Sequence, residues 1–445
     1  MNDSPIQARK VYIKTFGCQM NEYDSQKILK ILEPNFLTTK SAEEADLVLI
    51  NTCSVREKPE QKLYNALGEL RELKKNKPQL LVGVGGCVAQ QEGERIVKSS
   101  PLVDFVFGTH NLSLVPSLIE RRSEGLPPQV AVNYRDEWEE LPAGFVESDR
   151  VSVFIAISRG CNKNCTYCIV PTTRGREVSR PYEEIEREVK IALQRGAKEV
   201  VLLGQTVNSY GLDLTPRVKF AQLVERLSQL DGLKRIRFTS PHPAEVRDDF
   251  IELAASNPKV CRHIHMPLQS GSNAILKAMN RNYRKERYLQ IIEKLKTRVP
   301  DMAITTDIIV GFPGETEKDL EETLSVMQIV GFESSFSFMF SPRPGTPAEF
   351  LPNQIPQNEK LDRLYRLQKL QDKLTSQKLE SYVGNCHEVL IDGHSKSESD
   401  KLCGRTSQNT LVNFEKSYPN LKKGDLVMVK INSKAKHTLR GELSI

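Results

Sequence analysis

No apolar run in this 445-residue chain approaches the ~20 residues that a helix needs to cross a bilayer. Met1-Asn2-Asp3-Ser4-Pro5 opens without the hydrophobic core of a secretory signal, so a cytoplasmic location and no membrane partner are expected. Tryptophan occurs once and histidine seven times, and the histidines follow no metal-ligand spacing. His263 and His265 alternate along one predicted strand, where packing or hydrogen bonding inside a barrel is the expected role. Charge of one sign is also scarce. With 63 basic and 57 acidic residues the net charge is +6, which permits a polyanionic partner without demanding one. There is no low-complexity tract and no repeat at solenoid period. A 39% hydrophobic content excludes a disordered chain, and 25 glycines with 24 prolines in no period exclude a fibrous one. At ~100–200 residues per domain the length suggests about three domains.

Cysteine is what the chain does have. Nine cysteines, an odd number with no export signal, favour metal binding or chemistry over disulfides. Lys10–Phe16, Ala45–Ile50 and Leu80–Val84 read as strands, followed by Gly17-Cys18, Asn51-Thr52-Cys53 and Gly85-Gly86-Cys87. Helical patterns over Glu22–Leu32 and Pro59–Lys75 separate them, which indicates parallel βαβ units. Separations of roughly 35 residues are one such unit each. Right-handed crossovers then bring Cys18, Cys53 and Cys87 to one carboxyl edge of the sheet, where open α/β folds bind ligands. The three thiols could hold a metal or an iron–sulfur cluster; the alternative is three small buried hydrophobes.

A second region begins with the strand Val151–Ser158 and the loop Cys161-x3-Cys165-x2-Cys168. Further strands are expected at Glu199–Leu203, Arg235–Thr239, His263–Leu268, Ala303–Val310 and Ser335–Phe340. Helices are expected at Tyr182–Arg195, Phe220–Leu230, Ala244–Ser256, Tyr283–Arg298 and Glu317–Val330. Six βα units suggest a partial parallel barrel with its chemistry at the strand carboxyl ends. The cysteine run suits three corners of a cubane [4Fe–4S] cluster and leaves one iron open. A structural zinc site would need a fourth ligand nearby, and the sequence offers none.

At this loop the chain resembles the radical S-adenosylmethionine (SAM) superfamily. Phe16–Tyr23, Asn51–Glu57, Gly86–Gln90, Cys168–Pro181, His265–Asn280, Asp307–Thr316 and Ser341–Pro347 resemble the methylthiotransferase family within it. They look most like the MiaB-type enzymes acting on N6-isopentenyladenosine (dimethylallyladenosine) in tRNA. The resemblance implies two [4Fe–4S] clusters: one on Cys161, Cys165 and Cys168 with exchangeable SAM, and an auxiliary one on Cys18, Cys53 and Cys87. One SAM would then serve as methyl donor and another as source of a 5′-deoxyadenosyl radical, inserting a methylthio group at C2 of the adenine at position 37. No acid–base catalytic residue is expected. Tyr167, Gly204, Gln205, Asp307 and Gly311 are implied SAM contacts, although Gly311 could serve only a tight turn. Arg174, Arg176 and Arg180 could receive tRNA; the alternative is pairing with Glu177, Glu183 and Glu184. Thr172 and Thr206 depart from the family pattern. The implied partners are tRNA carrying N6-isopentenyladenosine and a flavodoxin- or ferredoxin-type reductant, with the enzyme a monomer. Rival readings are methylthiolation of N6-threonylcarbamoyladenosine in tRNA or of a ribosomal-protein aspartate, and a non-catalytic, metal-stabilised RNA-binding protein.

After a helical stretch, Asn358–Leu379, come strands expected at His387–Ile391, Thr410–Phe414, Leu426–Ile431 and Thr438–Leu443. They suggest a small OB-like β-barrel, similar to a TRAM domain, with a slight basic excess. Cys261, Cys386 and Cys403 read as structural. The expected organisation is α/β: an N-terminal parallel βαβ domain over 9–125, a linker over 126–146, a radical SAM partial (β/α)6 barrel over 147–378, and the small barrel over 379–445.

Overall fold

The computed structural model describes residues 9–54, 59–144, 150–395, 400–415 and 420–444. Val55, Arg56 and Glu57 of the second motif, and the expected domain start at 147, lie outside them. The chain forms two compact units.

The first unit takes Met1–Ser148, Ser158–Lys163 and Cys168–Ile191. Its six-stranded parallel sheet contains β1 (Arg9–Thr15), β2 (Phe36–Thr38), β3 (Leu47–Thr52), β4 (Leu81–Gly86), β5 (Phe105–Phe107) and β6 (Gln129–Ala131), in the order β2-β1-β3-β4-β5-β6. The helices of the unit are α1 (Gln19–Leu32), α2 (Pro59–Asn76), α3 (Cys87–Glu92), α4 (Glu94–Ser99) and α5 (Val115–Ser123). Every residue of β3 is buried, as a central parallel strand requires. Leu47 and Leu49 pack with α1 and α5 on one face; Val48 and Ile50 pack with α2 and α3 on the other. The expected connection at 126–146 contributes β6 to this sheet. It also carries the buried Glu139, which accepts from the Ser113 amide at 3.0 Å. Its polar composition hid a three-residue edge strand.

The cysteine loop joins β7 (Ser152–Ala156) and β8 (Ser158–Arg159) to α6 (Val170–Arg174), which is followed by β9 (Val178–Ser179) and α7 (Tyr182–Gln194). The second unit, Asp149–Ile157, Asn164–Tyr167 and Ala192–Ile445, carries the rest. It continues with β10 (Glu199–Leu203), α8 (Phe220–Ser228), β11 (Arg235–Phe238), α9 (Asp248–Ser256) and β12 (His263–His265). Next come α10 (Asn273–Ala278), α11 (Lys285–Arg298), β13 (Ala303–Val310), α12 (Glu317–Val330) and β14 (Ser334–Met339). Strands β11-β10-β7 and β12-β13-β14 run parallel, and a bridge between Ile236 and Val260 links the two sets. This is the expected succession of six βα units. α12 starts where Thr316 and Asp319 form a capping box and stops at Gly331, which is left-handed at φ 61°.

The long helix α13 (Gln357–Tyr382) leads into a closed barrel of β15 (Cys386–His394), β16 (Lys401–Thr406), β17 (Leu411–Glu415), β18 (Leu426–Lys434) and β19 (Leu439–Leu443). Its core is Val389, Ile391, Leu402, Val412, Phe414, Val429, Ile431 and Leu439. The sequence pattern had suggested four of these strands. β16, read KLCGRT, lacks the apolar alternation that would announce it. No helix among the described residues is long and apolar enough to cross a membrane.

Candidate active site

In the first unit, β1, β3 and β4 lie side by side, and a cysteine follows each. The chain runs one way from β1 to β2 and the other way from β3 onward. The β1/β3 boundary is therefore the topological switch point, where such sheets open a crevice at their carboxyl ends. Cys18 is the N-cap residue of α1, and Cys87 is the first residue of α3. A Cβ on Gly17 would stand 2.4 Å from Cys53 Cβ, and its φ of +138° is left-handed, so only glycine lets these loops close together.

Two asparagines brace the crevice. Asn21 Nδ2 donates to Asn51 Oδ1 and to the Thr52 carbonyl, both at 3.1 Å, while Asn51 Nδ2 donates to the Asn21 carbonyl at 2.9 Å. The Cys18 thiol donates to Asn21 Oδ1 at 3.3 Å. Sequence reasoning quoted both asparagines inside motifs without giving them this task. The three thiols interact directly: Cys53 hydrogen-bonds both Cys18 and Cys87. Those bonds, with the nearby Arg174 charge, hold Cys18 and Cys87 below the usual thiol range against burial. The same contacts, with burial, push Cys53 up.

The expected arginines divide. Arg174 is buried and donates to Asp24 Oδ2 at 2.8 Å. Arg180 is buried too, donating to Glu184 at 3.1 Å and pairing with Glu188, which also takes Lys27. Of the acidic partners weighed from sequence, Glu184 is used by Arg180; Asp24 and Glu188 were not foreseen. Arg176 is exposed. Thr172 is exposed and its carbonyl accepts from the Tyr134 hydroxyl, while Thr206 is buried.

The loop Cys161–Cys168 is held by its own surroundings within each unit. Cys161 Sγ accepts from the Lys163 amide at 3.4 Å. In the second unit, Cys165 Sγ accepts from Arg281 Nη1 at 3.5 Å, and the Thr166 amide donates to the Met279 carbonyl at 3.1 Å. Arg281 was not anticipated from sequence. Tyr167 is half-buried, with its ring edge on Phe312 at 6.5 Å.

The remaining expected contacts sit on barrel strands or just after them. Gly204-Gln205 follows β10, and Gln205 Oε1 is buried with no hydrogen-bond partner. Asp307, on β13, stands 3.3 Å from His265 Nε2. His265 Nδ1 and His263 Nε2 both meet Thr305 Oγ1 at 3.0 Å, so the two histidines hydrogen-bond inside the barrel as expected. Burial, then the Arg237 charge, keeps His263 well below the usual imidazole range. Gly311 is left-handed at φ +70° and a Cβ there would meet Lys360 Cγ at 2.4 Å. Its amide donates to Glu315 Oε2 at 2.6 Å, so the turn has structural reasons of its own. Cys261 is buried, Cys403 half-buried and Cys386 exposed.

Residues 155–327 match the Radical SAM superfamily, 10–108 the uncharacterized protein family UPF0004, and 380–444 the TRAM domain. The chain is 46% identical over 442 residues to the tRNA-2-methylthio-N(6)-dimethylallyladenosine synthase of Nitrosomonas eutropha, covering 98% of this chain and 99% of that one. The chain belongs to that synthase family. The synthase of Geobacter metallireducens is also 46% identical, over 98% of both chains, and that of Clostridium botulinum 44%, over 97% of this chain and 96% of the other. Among solved structures, the radical SAM methyltransferase TsrM of Kitasatospora setae aligns with a TM-score of 0.56 at 14% identity, over 77% of this chain and 75% of that one. At that identity the likeness shows the fold alone. The synthase family is a family of radical SAM tRNA methylthiotransferases with a TRAM domain, and the small closed barrel is the part of this chain matching that domain.

Proposed function

We propose that this synthase-family chain inserts a methylthio group at C2 of N6-isopentenyladenosine at position 37 of tRNA. The observation that carries this reading is the pairing of near-full-length identity to synthases with six cysteines in two separate sets. Among the described residues no three Cys, His, Asp or Glu side chains form a ready-made site for one metal ion. The donor set itself is what fits iron–sulfur clusters: soft thiols and no histidine, with Cys53 next to both Cys18 and Cys87. The C2–H bond of an adenine is too inert for a general base, so acid–base residues are not needed at this site. When bound, one cluster with SAM supplies the 5′-deoxyadenosyl radical and the other supplies the sulfur.

The chain's own residues hold and orient. Cys161, Cys165 and Cys168 would ligate the SAM-binding cluster, with the Arg281 hydrogen bond fixing the Cys165 sulfur. The unpartnered Gln205 Oε1 is an acceptor suited to the amino group of SAM. Asp307, oriented by His265, is suited to a ribose hydroxyl, and Tyr167 and Gly311 would shape the SAM pocket. Cys18, Cys53 and Cys87 would ligate the auxiliary cluster. Exposed Arg176 is the arginine available to tRNA phosphate, whereas Arg174 and Arg180 are occupied in buried pairs. A flavodoxin- or ferredoxin-type reductant, a cytoplasmic location and a monomeric state complete the reading.

Anaerobic reconstitution, iron and sulfide counting, and nucleoside analysis of isopentenylated tRNA with SAM and reductant test it. About eight irons per chain and a methylthio-isopentenyladenosine peak are expected. Eight irons with no product would redirect the assignment to the threonylcarbamoyl or ribosomal-protein substrate, and about four irons would remove the auxiliary cluster.

A further inference from the structure

The short helix α6 begins two residues after Cys168 and ends at Arg174. It packs against α3, whose first residue is Cys87, and the Thr109 hydroxyl donates to the Thr173 carbonyl at 2.6 Å. Arg174, the last residue of α6, is 5% exposed. Its partner Asp24 lies on α1, six residues beyond Cys18 and 8% exposed, with the ion pair at 2.8 Å. The Arg174 charge acts on both Cys18 and Cys87. The 2.8 Å ion pair with Asp24 compensates the buried guanidinium.

A buried charge beside a redox centre is felt strongly, because the interior dielectric is far below that of water. Adding an electron makes a thiolate-bound cluster more negative, so a neighbouring cation favours the reduced state and a neighbouring anion disfavours it. Resting on the two-cluster reading above, we propose that the Asp24–Arg174 pair sets the reduction potential of the cluster held by Cys18, Cys53 and Cys87, with Arg174 raising it and Asp24 lowering it. Both are positioning residues in this role. They touch no substrate and act through charge at fixed places.

The test uses the full chain carrying Cys161→Ala, Cys165→Ala and Cys168→Ala, reconstituted anaerobically with iron and sulfide, so that one cluster remains to be titrated by EPR-monitored potentiometry. Arg174→Gln should lower the midpoint potential and Arg174→Lys restore most of it. Asp24→Asn should raise it. A tenfold change in the reduced-to-oxidised ratio at fixed potential, about 59 mV for a one-electron couple, is the expected size. Should Arg174→Gln fail to load iron, the Asp24→Asn potential decides alone: a rise supports the pair's role, and a fall or no change overturns it. Shifts of the same sign for Arg174→Gln and Asp24→Asn would mean packing rather than charge and would also overturn it. A parent chain that holds no iron would instead overturn the two-cluster reading.

Discussion

Arg237 on β11 donates to the Thr406 carbonyl at the end of β16, 2.7 Å away, reaching from the larger barrel into the small one. It also donates to the Ser407 carbonyl at 2.9 Å and pairs with buried Glu199 at 3.0 Å. Arg235 repeats the move, donating to the Arg405 carbonyl at 2.7 Å and pairing with Glu388 at 2.8 Å. Replacing Arg237 strands a buried carboxylate and two carbonyls, a loss of about 3–5 kcal/mol for a broken buried pair. Arg237→Met should therefore lower the urea midpoint markedly. A stability within ~1 kcal/mol of the parent would show that these bonds do not hold the barrels together.

A second buried charge cluster should behave in the same way. Glu188, on α7, is fully buried between Lys27 and Arg180, and the Tyr23 hydroxyl donates to it at 3.1 Å. Glu188→Ala would leave two buried cations facing each other. A fall in stability of about 3–5 kcal/mol is expected, and partial recovery when Lys27→Met is added. Equal unfolding temperatures for parent and Glu188→Ala would contradict the assigned role.

The two cysteine sets should separate in their effects. Cys165→Ala should abolish 5′-deoxyadenosine formation while the iron of the other set still loads. Cys53→Ala should still cleave SAM yet add no methylthio group. Quantifying 5′-deoxyadenosine and modified nucleoside in the same reactions distinguishes them, and normal methylthiolation by Cys53→Ala would remove the sulfur-insertion role.

Much of this was readable from sequence because it is carried by local pattern. β10, β13 and α12 begin and end where alternation, apolar runs and capping residues place them. Cys18, Cys53 and Cys87 could be brought together on paper because parallel βα units fix which strand end each one leaves. What stayed hidden is long-range and polar. Asp24 meets Arg174 across 150 residues, Lys27 meets Glu188 across 161, and Arg237 meets Thr406 across 169. Charged residues at such separations look in sequence like a solvated surface, and only the fold shows them buried. The strand β16 escaped for another reason: its inward residues are Leu402, Gly404 and Thr406, only one of them a large hydrophobe.

Gln205 offers a direct check on SAM binding. Its Oε1 is buried without a partner, an arrangement that costs stability unless a ligand donor satisfies it. Gln205→Leu should keep or raise the thermal stability of the SAM-free protein and raise the SAM KM about tenfold or more, the equivalent of a lost hydrogen bond to a charged group at ~1.5–3 kcal/mol. An unchanged KM would place the amino group of SAM elsewhere.

His110 makes the acid side of the stability profile testable. It is buried in the first unit, its Nδ1 accepts from the Arg135 amide at 3.4 Å, and its ring meets Tyr134 edge-on at 5.3 Å. Burial first, and then the Arg159 charge, brings its pKa down from 6.5 to about 4. In the unfolded chain the imidazole takes up a proton as the pH falls through about 6.5, while in the fold it stays neutral until about 4. The unfolded state thus binds more protons across that window. The contribution of His110 is complete above about 6.5 and is lost progressively as the pH drops toward about 4. His110→Asn should flatten the decline of the urea midpoint across that range and leave its pH dependence above neutrality unaltered. An acid limb equally steep in the variant would mean that other groups carry the decline.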